Sequence, residues 1–93
     1  MLPPMPNSRV RIYSTPFCGF CRMAKHLMER EGIPAEEIDL SEDDALRLKL
    51  VEQTGWRTVP MIFIDETFVG GYQELTQLQK AGGLEELKVT GLP

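Results

Sequence analysis

Cys18 and Cys21 are the only cysteines in the chain, and they stand three residues apart in Thr15-Pro16-Phe17-Cys18-Gly19-Phe20-Cys21-Arg22. Residue pairs at this spacing on a helix have Cβ atoms about 5 to 6 Å apart, within reach of a disulfide after small adjustment. A thiol at a helix start faces backbone N–H groups that lack intrahelical partners, together with the positive end of the macrodipole. Such a cysteine ionises more readily, from a usual value of about 8.5 down to roughly 3.5 to 7.5 in Cys-X-X-Cys motifs. The pattern assigns Cys18 as the attacking thiol and Cys21 as the resolving one.

The flanking elements suit that chemistry. Val10-Arg11-Ile12-Tyr13 is short, β-branched and aromatic, which predicts a buried strand. Phe20, Met23, Ala24, Leu27 and Met28 recur at helical spacing, so a strand hands over to an amphipathic helix at Cys18. Structural zinc is excluded because four ligands are needed and the chain adds a single histidine, His26, read as a solvated surface residue. A purely structural disulfide is disfavoured, since so short a loop constrains the unfolded chain least. A redox pair is the reading that remains.

The 93 residues make one domain with room for one site. Net charge of −4 gives no basic stripe for nucleic acid, and no apolar run approaches the 18 or so residues needed to span a bilayer. Residues 1–8 carry three prolines and neither the basic nor the apolar part of a signal peptide. The expectation is a flexible leader over 1–8, a folded domain over 9–93, and a cytoplasmic location.

Gly32 predicts the end of the first helix, and a second strand over residues 35–40 pairs parallel to the first through that helical crossover. Ser41-Glu42-Asp43-Asp44 reads as an N-cap with an acidic first turn. Leu46, Leu50 and Val51 supply the helix's apolar stripe, and Gly55 ends it. Pro60-Met61-Ile62-Phe63-Ile64 begins a strong strand, Asp65-Glu66 turns it into Thr67-Phe68-Val69, and Gly70-Gly71 opens a short helix over 72–81. Leu84 and Leu87 mark a last turn. The order βαβα then ββα predicts a small mixed sheet flanked by helices.

Three segments together resemble the signatures of the glutaredoxin family: Tyr13 through Cys21, Thr58-Val59-Pro60, and Gly70-Gly71-Tyr72-Gln73-Glu74-Leu75. The resemblance implies an α/β thioredoxin-like fold with a four-stranded mixed sheet, a cis Val59-Pro60 bond, and glutathione as reductant and part of the substrate. It further implies a tripeptide site. The cysteinyl unit of glutathione pairs with the backbone of Val59 in the Thr58-Val59-Pro60 loop, and the glutamyl carboxylate rests on the N–H groups of Tyr72 and Gln73 beside Gly71 and Glu74. Phe20 forms an apolar wall and Arg57 takes the glycyl carboxylate. For Arg57 a solvated loop charge is an equal alternative; for Phe20 packing in the core is a strong competitor, because it also falls on the apolar helix stripe; Trp56 is read as packing.

Two departures stand out. Thr15 occupies a position where the family commonly has lysine, so Arg22 or Arg57 is left to offset the missing charge. Gly19 replaces the proline usual in dithiol members, and Cys-Gly-Phe begins the monothiol motif, so the chain resembles a hybrid in which Cys21 is restored. Two functions follow. One is a glutathione-dependent thiol–disulfide oxidoreductase acting on glutathionylated or disulfide-containing proteins as a monomer. The other is a dimeric carrier of a [2Fe-2S] cluster, with Cys18 of each protomer and two glutathiones as ligands.

Overall fold

The computed structural model describes residues 9–88, so the expected leader over 1–8 and the last five residues of the expected domain lie outside the described part. Strand β1 (Val10–Ser14) leads into helix α1 (Gly19–Glu31), strand β2 (Ala35–Asp39) and helix α2 (Asp44–Thr54). Strands β3 (Met61–Ile64) and β4 (Thr67–Gly70), helix α3 (Tyr72–Lys80) and a 3₁₀ turn at Glu85–Leu87 complete it. The sheet order is β2-β1-β3-β4, with β1 parallel to β2 and antiparallel to β3. The mixed four-stranded sheet expected from the sequence is therefore present.

Side-chain alternation on β1 divides the core between the two faces of the sheet. Val10 and Ile12 join Ala24, Leu27 and Met28 of α1 and Leu75 of α3 on one face. Tyr13 joins Leu50 of α2 and Met61 on the other. Each of the fully buried large side chains contributes roughly 1.5 to 3 kcal/mol of transfer free energy. The 3₁₀ turn closes the first face with Leu84 and Leu87, as the sequence predicts.

Local signals account for most boundaries. Gly32 closes α1 in the left-handed region (φ 72°), where a side chain is rarely tolerated, and Gly55 closes α2 in the same way (φ 73°). The hairpin of β3 and β4 turns on Asp65 and Glu66 without glycine, Asp65 taking φ 57°. Arg9 grips the Asp65 carboxylate with a two-pronged hydrogen bond at 2.9 and 2.8 Å and holds that carboxyl below the usual carboxylate range. A register shift between Ile62 and Phe63 leaves Val69 as an extra residue on β4.

Two expectations shift. The cap of α2 is Asp43, whose Oδ1 accepts from the Leu46 N–H at 3.1 Å, and not Ser41. Asp39 has already captured the Ser41 N–H at 2.8 Å, which folds Ser41 and Glu42 into the preceding turn. On α1, Phe20 and Met23 lie outside the core, 60% and 44% exposed, while Cys21 lies inside it. The buried stripe is centred between Ala24 and Met28, about 40° around the helix from the centre that the apolar spacing suggests.

Candidate active site

Phe17 turns the chain from β1 into α1 with φ 64°, a left-handed conformation that costs a bulky residue on the order of 1 kcal/mol. Its ring is 97% exposed, so the turn buries nothing of its own and its effect is to set the next residue at the helix mouth. Cys18 is that residue: it caps α1 in an extended conformation, and its Sγ accepts a hydrogen bond from the Cys21 N–H at 3.2 Å. A sulfur is thus doing what a Ser or Asp oxygen does at an ordinary N-cap, satisfying one orphan donor of the first turn.

Facing it is the loop before β3. The Val59-Pro60 peptide is cis, Pro60 is buried, and the Cys18 thiol donates to the Val59 carbonyl at 3.8 Å. The expected juxtaposition of Cys18 with the Val59 backbone is present. Arg57 and Thr58, just before it, are exposed.

Cys21 differs sharply from Cys18. It is 2% exposed, and burial pushes its thiol from 9.0 up to about 12, helped by its contact with the Cys18 sulfur and by the Glu37 carboxylate. A hydrogen bond with the Thr15 backbone pulls the other way. Glu37, on β2, accepts from the Ser14 hydroxyl at 2.8 Å and pairs with Lys25 at 2.9 Å. Both cysteines are free thiols, one half-exposed and one enclosed.

The third wall is the start of α3. Gly71 caps this helix, and its N–H is closed by Glu74 Oε1 at 2.9 Å, so the Glu74 carboxylate is turned back onto its own helix. The N–H groups of Tyr72 and Gln73 come next, in the part of a helix where no intrahelical acceptor exists. Tyr72 meets Phe20 with ring centroids 6.1 Å apart, which joins the mouth of α3 to that of α1 across the site. Of the two readings open for Phe20, packing in the core is not what it does, since its ring is exposed beside Tyr72.

Trp56 ties the Val59 loop to this corner. Its ring packs edge-on to Phe68 at 5.6 Å, and its Cζ2 would lie 3.5 Å from a Cβ at Gly71. The packing role read from the sequence is what it performs, although its Nε1 is buried with no hydrogen-bond partner among the described residues. The structure therefore gathers Cys18, Cys21, Thr15 and Val59 into direct contact, with Pro60 following Val59, and brings Phe20, Gly71 and Tyr72 alongside. Arg57, Thr58 and Gln73 stay at the exposed rim. Sequence reasoning missed Glu37 and Phe17. Nothing local marks either, since Glu37 acts across two strands and Phe17 matters through its backbone.

Comparison with known proteins gives a consistent picture. A model of the Glutaredoxin family matches residues 10–69. Glutaredoxin of Pseudomonas aeruginosa is 42% identical over 78 residues, covering 84% of this chain and 93% of its own length. Glutaredoxin 3 of Escherichia coli K12 is 35% identical over 80 residues, covering 86% and 96%. Among solved structures, a complex of buckwheat glutaredoxin with glutathione superposes with a TM-score of 0.81 at 29% identity, over 86% of this chain and 76% of that one.

Proposed function

The chain belongs to the glutaredoxin family of thiol–disulfide oxidoreductases on a thioredoxin-like fold, and we propose that it reduces protein–glutathione mixed disulfides and protein disulfides at the expense of glutathione. The observation that carries this reading is the asymmetry of the pair: a half-exposed Cys18 capped by an N–H and set against the Val59 carbonyl, with Cys21 enclosed behind it.

In the first route the Cys18 thiolate attacks the glutathione sulfur of the mixed disulfide. The protein leaves as a thiolate and Cys18 is left bonded to glutathione. A second glutathione thiolate then attacks that sulfur, releasing oxidised glutathione and regenerating Cys18. In the second route Cys18 attacks a protein disulfide and Cys21 resolves the adduct, so two client thiols are released as a Cys18–Cys21 disulfide forms. Cys21 must lose its proton to do so, and its buried thiol holds that proton tightly. The monothiol route has no such step.

Glutathione is placed by backbone groups. Its cysteinyl unit pairs with Val59 as a single-residue strand addition, and its glutamyl carboxylate rests on the Tyr72 and Gln73 N–H groups. The glycyl carboxylate meets Arg57 beside Thr58, with Phe20 as the apolar wall and Thr15 at the floor. Glutathione and glutathionylated or disulfide-bearing proteins are the partners, and a reducing cytoplasm is where such a cycle runs. For a [2Fe-2S] cluster the described residues offer one accessible thiol, Cys18, and no group of three or more candidate ligands, so a cluster needs a second protomer and bound glutathione.

Cys18→Ser is expected to abolish deglutathionylation. Cys21→Ser is expected to keep it and to lose reduction of protein disulfides. Equal loss from both substitutions refutes the division of labour. Anaerobic purification with a visible spectrum checks the alternative, because a brown dimer without turnover would make the protein a cluster carrier.

A further inference from the structure

Beside the site, between α1 and the start of α3, lies a groove of about 420 Å³ lined by Gly19, Arg22, Met23, His26, Arg30 and Tyr72. It begins at the residue next to Cys18 and follows the helix for about 16 Å. Arg22, His26 and Arg30 recur every fourth residue along it, all three exposed and none in an ion pair among the described residues. Arg9 is engaged with Asp65 and Glu86, Lys25 with Glu37 and Lys88 with Glu31 and Glu85, while Arg47, Lys49, Arg57 and Lys80 are, like the stripe, in no ion pair among the described residues but line no groove beside Cys18. In a chain of net charge −4 this is an unneutralised basic stripe leading to the reactive sulfur. Met23 adds an exposed apolar edge, continued at the helix mouth by Phe20.

We infer that this groove is the docking site for the client protein, taking an extended segment with acidic residues at alternate positions next to the cysteine to be reduced. The spacing carries the detail. Four helical residues advance about 6 Å, and two residues of extended chain advance about 6.6 Å, so side chains on one face of a strand meet Arg22, His26 and Arg30 in turn. The length of the groove holds roughly five extended residues. In the placement proposed above glutathione shares only Tyr72 with this groove, and its glycyl carboxylate meets Arg57 rather than Arg22, His26 or Arg30. The inference rests on the oxidoreductase reading and adds client selectivity to it.

Three substrates separate the effects: a short glutathionylated peptide with Glu at alternate positions on both sides of its cysteine, its Gln counterpart, and the mixed disulfide of glutathione with mercaptoethanol. Arg30→Glu, far along the helix from the sulfur, is expected to lower kcat/KM for the Glu peptide about fivefold, one exposed attraction lost and one repulsion gained, and to leave the other two substrates unchanged. Lys49→Glu, an equal charge change on exposed α2, should leave all three unchanged. Arg30→Glu matching Lys49→Glu on the Glu peptide overturns the inference while leaving the oxidoreductase reading intact. A binding measurement independent of turnover uses the same peptides with serine for cysteine. Backbone amide shifts at Arg22, His26 and Arg30 that are larger for Glu than for Gln support the groove, and their absence overturns it even if the protein proves to reduce nothing. Broadening of those amides with protein concentration alone would give the groove to a second copy of this chain instead.

Discussion

Replacing Cys21 by alanine should make the protein less stable near neutrality and more stable in alkali, with the two stability curves crossing. Cys21 is enclosed, and burial together with the neighbouring Cys18 sulfur raises its thiol from 9.0 to about 12. The unfolded chain therefore releases this proton first. Below 9.0 both states hold it and the wild type enjoys the full benefit of its packed sulfur, worth about 1 kcal/mol over alanine. As pH rises from 9.0 toward 12 the unfolded state is progressively favoured, because it alone can ionise freely. At about pH 10.5 the linkage amounts to roughly 2 kcal/mol against the wild type, enough to exceed the packing gain and leave the variant ahead by about 1 kcal/mol. Urea unfolding of both proteins under reducing conditions, from neutral pH upward, measures the difference directly. Groups that do not touch Cys21 are common to both proteins, so the difference reports on Cys21 together with its contact to Cys18. A stability difference that stays constant across that range would mean the Cys21 thiol is not held protonated by its surroundings, and the asymmetry on which the site depends would be refuted.

Gly70→Ala should cost about 2 to 3 kcal/mol in a urea titration and weaken glutathione binding. Its φ of 126° and a Cβ only 2.8 Å from Glu74 Cγ force Glu74 off the Gly71 N–H, whereas Gly71→Ala, with no neighbour nearer than 3.5 Å, should be near neutral in stability. Arg57→Ala should raise KM for glutathione about fivefold, as expected for one exposed charge-assisted contact, without altering the rate at which Cys18 is alkylated; a slower alkylation would assign Arg57 to the thiolate instead.

The parts of this fold that were legible in the sequence are those whose cause is local. Gly32 and Gly55 stop their helices because a left-handed residue is needed there, and a strand–helix handover placed Cys18 at its cap. What was not legible depends on competition between neighbours. Ser41 and Asp43 are both good caps, and Asp43 wins because Asp39 takes the Ser41 N–H into an earlier turn. On α1 the apolar spacing marks an angle around the helix but cannot tell which side chains have a neighbour to cover them. Ala24, Leu27 and Met28 are buried in the core with the sheet and α3, while Phe20, beside the Tyr72 ring, and Met23 stay exposed, so the same stripe that builds the core also leaves an apolar edge beside the reactive sulfur.

That division explains how one helix serves three ends. Its buried face anchors the sheet and encloses Cys21; its first turn presents an N–H to Cys18; its outer face carries Arg22, His26 and Arg30 away from the site. The three faces are separated by rotation about a single axis, so a substitution on one face leaves the others in place. Charge on the outer face can therefore change while the sulfur chemistry at the mouth stays fixed, which is what the proposed client groove on α1 and the proposed glutathione site on the Val59 loop and α3 require of one helix.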